Sequence, residues 1–212
     1  MRKALFSLLL LGSSLTYGAA ITSTTTVLGG TPLTTFEGFA DGTLMQNQIA
    51  GVTFGQAPLA GRPQIDNSPF LFGYVASSGI GVLTGSTEGG YPFPTVAGIT
   101  ISFASGVSAA EVYFSDTSPL GNYTVSAFNT SGGLIESFVL LASQLGATGQ
   151  YVGFQYGSNQ LGKLQLGPSS TAGDAFAIDD LRVRSTSSGV PEPSTWMLMA
   201  GGLGALALRR RR

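Results

Sequence analysis

The chain is 212 residues long, with no cysteine, no histidine, 31 glycines and only 10% charged side chains. Disulfide scaffolds, thiolate metal sites and cysteine nucleophiles are excluded, and serine triads and His-ligated zinc sites lack their general base or ligand. The formal charge is −1 overall, but residues 21–189 carry four basic against ten acidic side chains, with no basic stripe that would favour nucleic acid as a partner.

The first segment reads as an export signal. Met1-Arg2-Lys3 gives a basic start, Ala4 to Leu11 an apolar run too short to span a bilayer comfortably, and Gly18-Ala19-Ala20 a small-residue exit. Cleavage is expected between Ala20 and Ile21, which makes 1–20 a signal peptide and requires signal peptidase and the Sec export machinery.

Residues 21–185 show short β-type runs punctuated by Gly, Pro, Asn and Ser, without a sustained 3.6-residue apolar stripe. Ile99, Ile101 and Phe103 alternate, as do Val112 and Phe114, then Tyr123, Val125 and Ala127; each set predicts one packed and one wet strand face. Asn129 to Gly133 predicts a hairpin connection into Leu134 to Leu141. Tyr151 to Tyr156, Lys163 to Leu166 and Phe176 to Val183 add further strands. The expected fold is all-β, a two-sheet β-sandwich or jelly roll, flanked by an N-terminal signal helix and a C-terminal transmembrane helix. The polar tracts Thr22 to Thr26 and Ser185 to Ser188 read as flexible ends. Phe70 to Tyr74 and Tyr91 to Pro94 are the aromatic clusters to consider for stacking on sugar rings.

After a linker at 186–189, Val190-Pro191-Glu192-Pro193-Ser194 forces an extended backbone suited to a protease cleft. Ser194 to Leu208 is apolar and uncharged, and it runs directly into Arg209, Arg210, Arg211 and Arg212. At about 1.5 Å per residue that stretch reaches about 22–24 Å, short of a hydrocarbon core of about 30 Å. The four arginines act as a membrane stop and hold the C-terminus on the cytoplasmic side, with the preceding domain outside the inner membrane.

Residues 190–212 resemble the PEP-CTERM protein-sorting class, in which Pro-Glu-Pro precedes a short membrane helix and a basic tail. Pro191, Glu192 and Pro193 match that motif. The resemblance implies that exosortase, a membrane enzyme, recognises the motif and removes the tail. It implies a Gram-negative host that exports polysaccharide.

Two ectodomain stretches resemble a jelly-roll module that recurs in such proteins and is distantly similar to carbohydrate-binding modules. They run from Thr35-Phe36-Glu37-Gly38 through Asp41-Gly42 to Gln48–Phe54, and over Phe176–Leu181. The resemblance implies adjacent first and last strands whose carboxylates hold a structural calcium ion, a role carried over to Glu37 and Asp179, with Asp180 and Asp41 as further candidates. Calcium is the one cofactor it suggests. The function expected is that of an exported surface or matrix protein, structural or adhesive in a biofilm or exopolysaccharide setting. A carbohydrate-binding module is the alternative. A glycan hydrolase using Asp179 with Glu37 or Asp116 is the remote one, since composition and motif point away from an enzyme.

Overall fold

A computed structural model describes residues 18–57, 61–68, 75–85, 98–116, 121–145, 148–169 and 176–186. The expected signal helix, the linker beyond Thr186, the sorting segment and both aromatic clusters at 70–74 and 91–94 lie outside these residues. Among the described residues, no helix is long and apolar enough to cross a membrane.

Among those residues, eleven strands form two antiparallel sheets. They are β1 (Ala19–Ser23), β2 (Val52–Ala57), β3 (Gln64–Asp66), β4 (Val82–Thr84), β5 (Gly98–Val107), β6 (Ala109–Ser115), β7 (Tyr123–Asn129), β8 (Leu134–Leu140), β9 (Gln150–Gln155), β10 (Leu161–Pro168) and β11 (Ala177–Arg184). One sheet has the order β1-β9-β6-β11-β4-β3 and the other β2-β5-β10-β7-β8.

The alternation read from the sequence sets the inner face of the five-stranded sheet. Ile99, Ile101, Tyr123, Val125, Leu164 and Leu166 are all fully buried there. The six-stranded sheet answers with Val112, Phe114, Val152, Phe154 and Ile178, so side chains from both sheets share one core. Phe114, Tyr123 and Phe176 bridge the layers, with ring centroids 4.8, 5.1 and 5.4 Å apart. Phe138 and Phe154 make a second bridge at 5.3 Å. Such offset and edge-on ring pairs add to the area they bury.

The Asn129 hairpin forms as expected between β7 and β8. The Asn129 carboxamide oxygen accepts from the Ser131 amide at 3.0 Å, the Ser131 hydroxyl at 2.7 Å and the Gly133 amide at 2.8 Å. Gly132 sits at φ +87°, in the region that favours glycine.

Three expectations need correcting. β6 and most of β11 have no wet face: Glu111, Tyr113 and Ser115 are buried along with Val112 and Phe114, because loops roof the outer side of their sheet. The tract Thr22 to Thr26 is not a free end. Thr22 and Ser23 pair with Val152 and Tyr151, and the Thr26 hydroxyl donates to Glu111. Nor do the first and last strands lie side by side, since β1 pairs with β9 while β11 pairs with β6 and β4. The early segment does reach the last strand by a single bridge, Thr34 to Leu181.

The register aligns Ala19, Gln155, Ala109 and Arg184 in one row across the six-stranded sheet. Chain entry at β1 and chain exit at β11 therefore share one end of the sandwich. Three strand spacings of about 4.8 Å separate them by about 14 Å.

Replacing Gly132 by Ala isolates the cost of the turn, because an added Cβ meets nothing within 4 Å. The expected loss is about 1–2 kcal/mol, or about 2–8 °C in melting midpoint for a domain of this size. Gly132→Asn should lose less; thermal melting followed by circular dichroism measures both.

Candidate functional site

The outer face of the six-stranded sheet is a lattice of carboxylates that accept from loop amides. Buried carboxylates survive only where hydrogen bonds replace water. Glu111, in the middle of β6, is fully buried and accepts from the Thr26 hydroxyl, from the Val27 amide at 3.1 Å and from the Leu28 amide at 3.2 Å. Arg182, its partner in the β6–β11 register, brings Nε to 3.9 Å from Glu111 and donates through Nη1 to the Gly30 carbonyl. Arg184 donates to the Leu28 carbonyl at 2.6 Å. One segment, 26–30, is thus strapped down by one acid and two bases.

Asp179 and Asp180 hold a second loop. Asp179 Oδ2 accepts from the Ser77 amide at 2.9 Å, the Ser77 hydroxyl at 3.2 Å and the Ser78 amide at 3.1 Å. Its Oδ1 takes the Asp180 amide at 2.7 Å. A bulge between Asp179 and Arg182 interrupts the β6 ladder, and within it Asp180 adopts φ +47°. That twist sends the Asp180 carboxylate to the Ser78 hydroxyl at 3.1 Å, the Tyr151 hydroxyl at 3.0 Å and Arg182 at 3.5 Å.

Glu37 holds the other end of the same loop. Its Oε1 accepts from the Ile80 amide at 2.9 Å and the Gly81 amide at 2.7 Å. Phe36, at φ +62°, turns the chain so that Glu37 faces the loop, and the Thr34 hydroxyl accepts the Phe36 amide to fix the turn. Between the anchors, Gly79 (φ +53°) leaves no room for a Cβ against the Glu37 carboxylate. Asp41 lies further off, accepting the Asn67 amide at 3.0 Å.

Glu37 and Asp179 therefore meet through the Ser77–Gly81 loop, with Asp180 beside Asp179 and Asp41 on a neighbouring turn. A calcium ion needs six to eight oxygens. Here the carboxylate oxygens serve N–H and O–H donors, and no group of three or more acidic side chains gathers among the described residues. The arrangement is built for anchoring amides and does not by itself supply that shell. Asp116, the other acid considered for hydrolysis, accepts from the Tyr123 hydroxyl.

Burial pushes the Asp179 carboxyl up to about 6, with the neighbouring Asp180 charge adding to it and the loop amides opposing it. Burial also raises Asp66, against its bond to the Ser68 amide and with help from Asp41. Tyr113 and Tyr151, edge-to-face at 5.3 Å beside the two aspartates, are raised chiefly by burial.

No motif in the sequence marks Glu111, Arg182, Ser77 or Ser78. One signal was present: an acid flanked by apolar residues within Ala109–Ser115, an unusual place for an unpaired charge.

The outer face of the five-stranded sheet is different. Register pairs place Thr100, Gln165, Ser126 and Ser137 in one row, and Ser102, Lys163 and Phe128 in the next. Lys163 Nζ stands 3.9 Å over the Phe128 ring. These side chains are half-buried or exposed, nearly all uncharged and mostly able to donate and accept.

The protein is a two-sheet β-sandwich with one roofed and one open face. Its C-terminal residues 189–212 match the PEP-CTERM protein-sorting motif, the mark of an exported protein handled by exosortase. No curated protein matches the chain. Among solved structures, the K2 cleaved adhesin domain of Lys-gingipain is 14% identical, with a TM-score of 0.44 over 78% of this chain and 99% of that one. A carbohydrate-binding module specific for non-crystalline cellulose is 14% identical, with a TM-score of 0.42 over 74% of this chain and 96% of that one. The family 11 carbohydrate-binding module of a Clostridium thermocellum cellulosomal cellulase is 11% identical, with a TM-score of 0.37 over 74% and 95%.

Melting the domain across pH in chelator, and again in excess calcium, tests the anchor. A carboxyl raised in the fold contributes stability that is fully present below its unfolded value near 3.8 and is lost as pH rises through about 6. Asp179 should thus lower the midpoint between pH 4 and 7, and Asp179→Asn should flatten that slope. Calcium should leave the midpoint where chelator puts it; a rise in calcium that Glu37→Gln abolishes would instead reveal a metal shell.

Proposed function

We propose that this chain is an exported surface or matrix protein with a non-catalytic ectodomain, anchored as a precursor in the inner membrane and released or transferred when exosortase cuts near Pro191, Glu192 and Pro193. The observation that carries this reading is the sorting motif at 189–212, directly behind a folded β-sandwich. The shared end of β1 and β11 supports it, because leader and tail can then enter one membrane with the domain standing on its surface. Arg209 to Arg212 stop the tail at the inner leaflet. Every acid in the roof lattice is committed to holding a loop, which favours a scaffold over a carboxylate catalyst.

The second reading is polysaccharide binding on the open five-stranded face. Its rows of Thr, Ser and Gln offer an uncharged donor-acceptor surface suited to neutral sugar hydroxyls, with Phe128 and Lys163 at one side. Exopolysaccharide of the matrix is the proposed ligand class.

Mass spectrometry of the protein from exosortase-positive and exosortase-deficient hosts tests processing. The exported form should lack Arg209 to Arg212 only when the enzyme is present, and Glu192→Ala should leave full-length precursor in the inner membrane. An exported form that retains Arg212 would end the sorting reading. For the open face, retardation in polysaccharide gels should fall about tenfold in a Gln165→Ala/Ser126→Ala double variant, the scale set by losing one or two hydrogen bonds. Retardation by no gel would remove the binding reading and leave sorting untouched.

A further inference from the structure

The bond expected to be cut by signal peptidase lies within β1, at the edge of the six-stranded sheet, where Ala19 and Ala20 are exposed but their backbone is paired with β9. β1 begins at Ala19, so Ala20 and Ile21 are consecutive ladder residues, paired with Phe154 and Gly153 of β9. Ile21 is 3% exposed and packs with Leu28 and Ala109. Gly18, the small residue three positions before the cut, rests on the Tyr156 ring and the Glu136 carboxylate so closely that a Cβ there would collide with both. A leader peptidase needs this stretch extended and free, with its small side chains in enzyme pockets. In the folded domain the backbone is committed to β9, and Gly18 is committed to Tyr156.

We propose that leader cleavage at Ala20–Ile21 happens only before β1 docks on β9, and that the folded domain protects the uncut bond. The inference rests on reading 1–20 as a signal peptide. In the step itself water adds across the amide: the C–N bond breaks, hydroxide joins the Ala20 carbonyl carbon, and the proton goes to the Ile21 amine. Connectivity supplies the time. Ile21 pairs with Gly153, 132 residues downstream, so β1 reaches the membrane long before its partner exists outside. At about 5–20 residues per second of synthesis, that separation is a window of roughly 7–26 seconds.

The ground beside Gly18 also fits a segment meant to leave. The Tyr156 hydroxyl and Glu136 Oε1 are buried there without a hydrogen-bond partner among the described residues. Burial first, and the Glu136 carboxylate beside it second, raise the Tyr156 phenol. Orphaned buried polar atoms destabilise a fold. Removing residues 1–20 takes Gly18 off them and admits water, while Ile21, Thr22 and Ser23 keep their places on β9.

The test uses full-length precursor in detergent micelles, presented to purified signal peptidase either folded or by dilution from urea into the enzyme, with the new N-terminus read by mass spectrometry. The diluted chain should be cut after Ala20 at least about tenfold faster than the folded one, since proteolysis tracks the population of the open form. Equal rates would overturn the protection while leaving the leader intact. No cut after Ala20 in either arm would instead overturn the leader reading itself. Gly18→Ala supplies the second readout. It keeps a small residue for the enzyme but pushes β1 off Tyr156, so folded precursor should become cleavable, while the mature protein, which lacks residue 18, should melt with the wild type. Folded Gly18→Ala precursor that stays uncut would overturn Gly18 as the lock.

Discussion

A buried carboxylate that accepts several loop amides is the interaction on which this structure depends. Loops crossing a sheet face carry polar backbone groups that the sheet cannot satisfy, and leaving them dry costs more than a hydrogen bond returns. Glu111, Asp179 and Glu37 each resolve this for one stretch of chain: 26–28, 77–78 and 80–81. Arg182 and Arg184 complete the arrangement by donating to the carbonyls of Leu28 and Gly30. The chain spends a large part of its few charges on this one face. A roof of loops over β6 and β11 follows from that investment, as does the burial of both faces of those strands.

The two sheets consequently diverge in purpose. The six-stranded sheet is buried on both sides near its centre, which gives the domain an interior slab without a disulfide. The five-stranded sheet keeps the ordinary alternation, with an apolar inner face and a hydroxyl-rich outer one. Among the described residues, the second leaves its outer side chains half-buried or exposed. This asymmetry also accounts for how so weakly charged a chain stays specific: ion pairs and anchored amides fix the roof, and pure hydrophobic alternation fixes the floor.

Legibility in the sequence followed the same division. Strands β5 and β7 and the Asn129 hairpin were readable because period-two patterning and turn chemistry are local properties. β3 and β4, three residues each, are too short to display a period. β1 was hidden because Ala19 and Ala20 read equally well as the exit of a leader. Glu37 and Asp179 came to notice through a family resemblance, yet the element that joins them, Ser77 to Gly81, has no signature apart from small residues. Glu111 could not be placed at all from its neighbours, because its partners lie 83 to 85 residues away and its burial exists only once that segment arrives. The sorting segment was legible for the opposite reason. Its signal is carried by residue order alone, with no need of a fold.

The join between fold and sorting segment limits how processing can work. Asn159 and Thr186 clasp each other: the Thr186 amide and hydroxyl donate to Asn159 Oδ1 at 2.8 and 3.0 Å, and Asn159 Nδ2 returns a bond to the Thr186 carbonyl at 2.7 Å. The domain's hydrogen bonding therefore extends to Thr186, beyond the last strand. Pro191 follows five residues later, and five residues span at most about 18 Å. A membrane protease acting on 191–193 must work within that distance of the sandwich, at the end where Ala19 and Arg184 share a row. The turns at that end, above all the one bearing Asn159, are the part of the sandwich from which the chain leaves toward the motif, while the Asp179 lattice sits toward the other end of β11. A domain that frayed at its last strand would lengthen the reach and loosen that geometry. The Asn159–Thr186 clasp opposes that fraying, so the fold bears on how far from the sandwich the motif can be displayed.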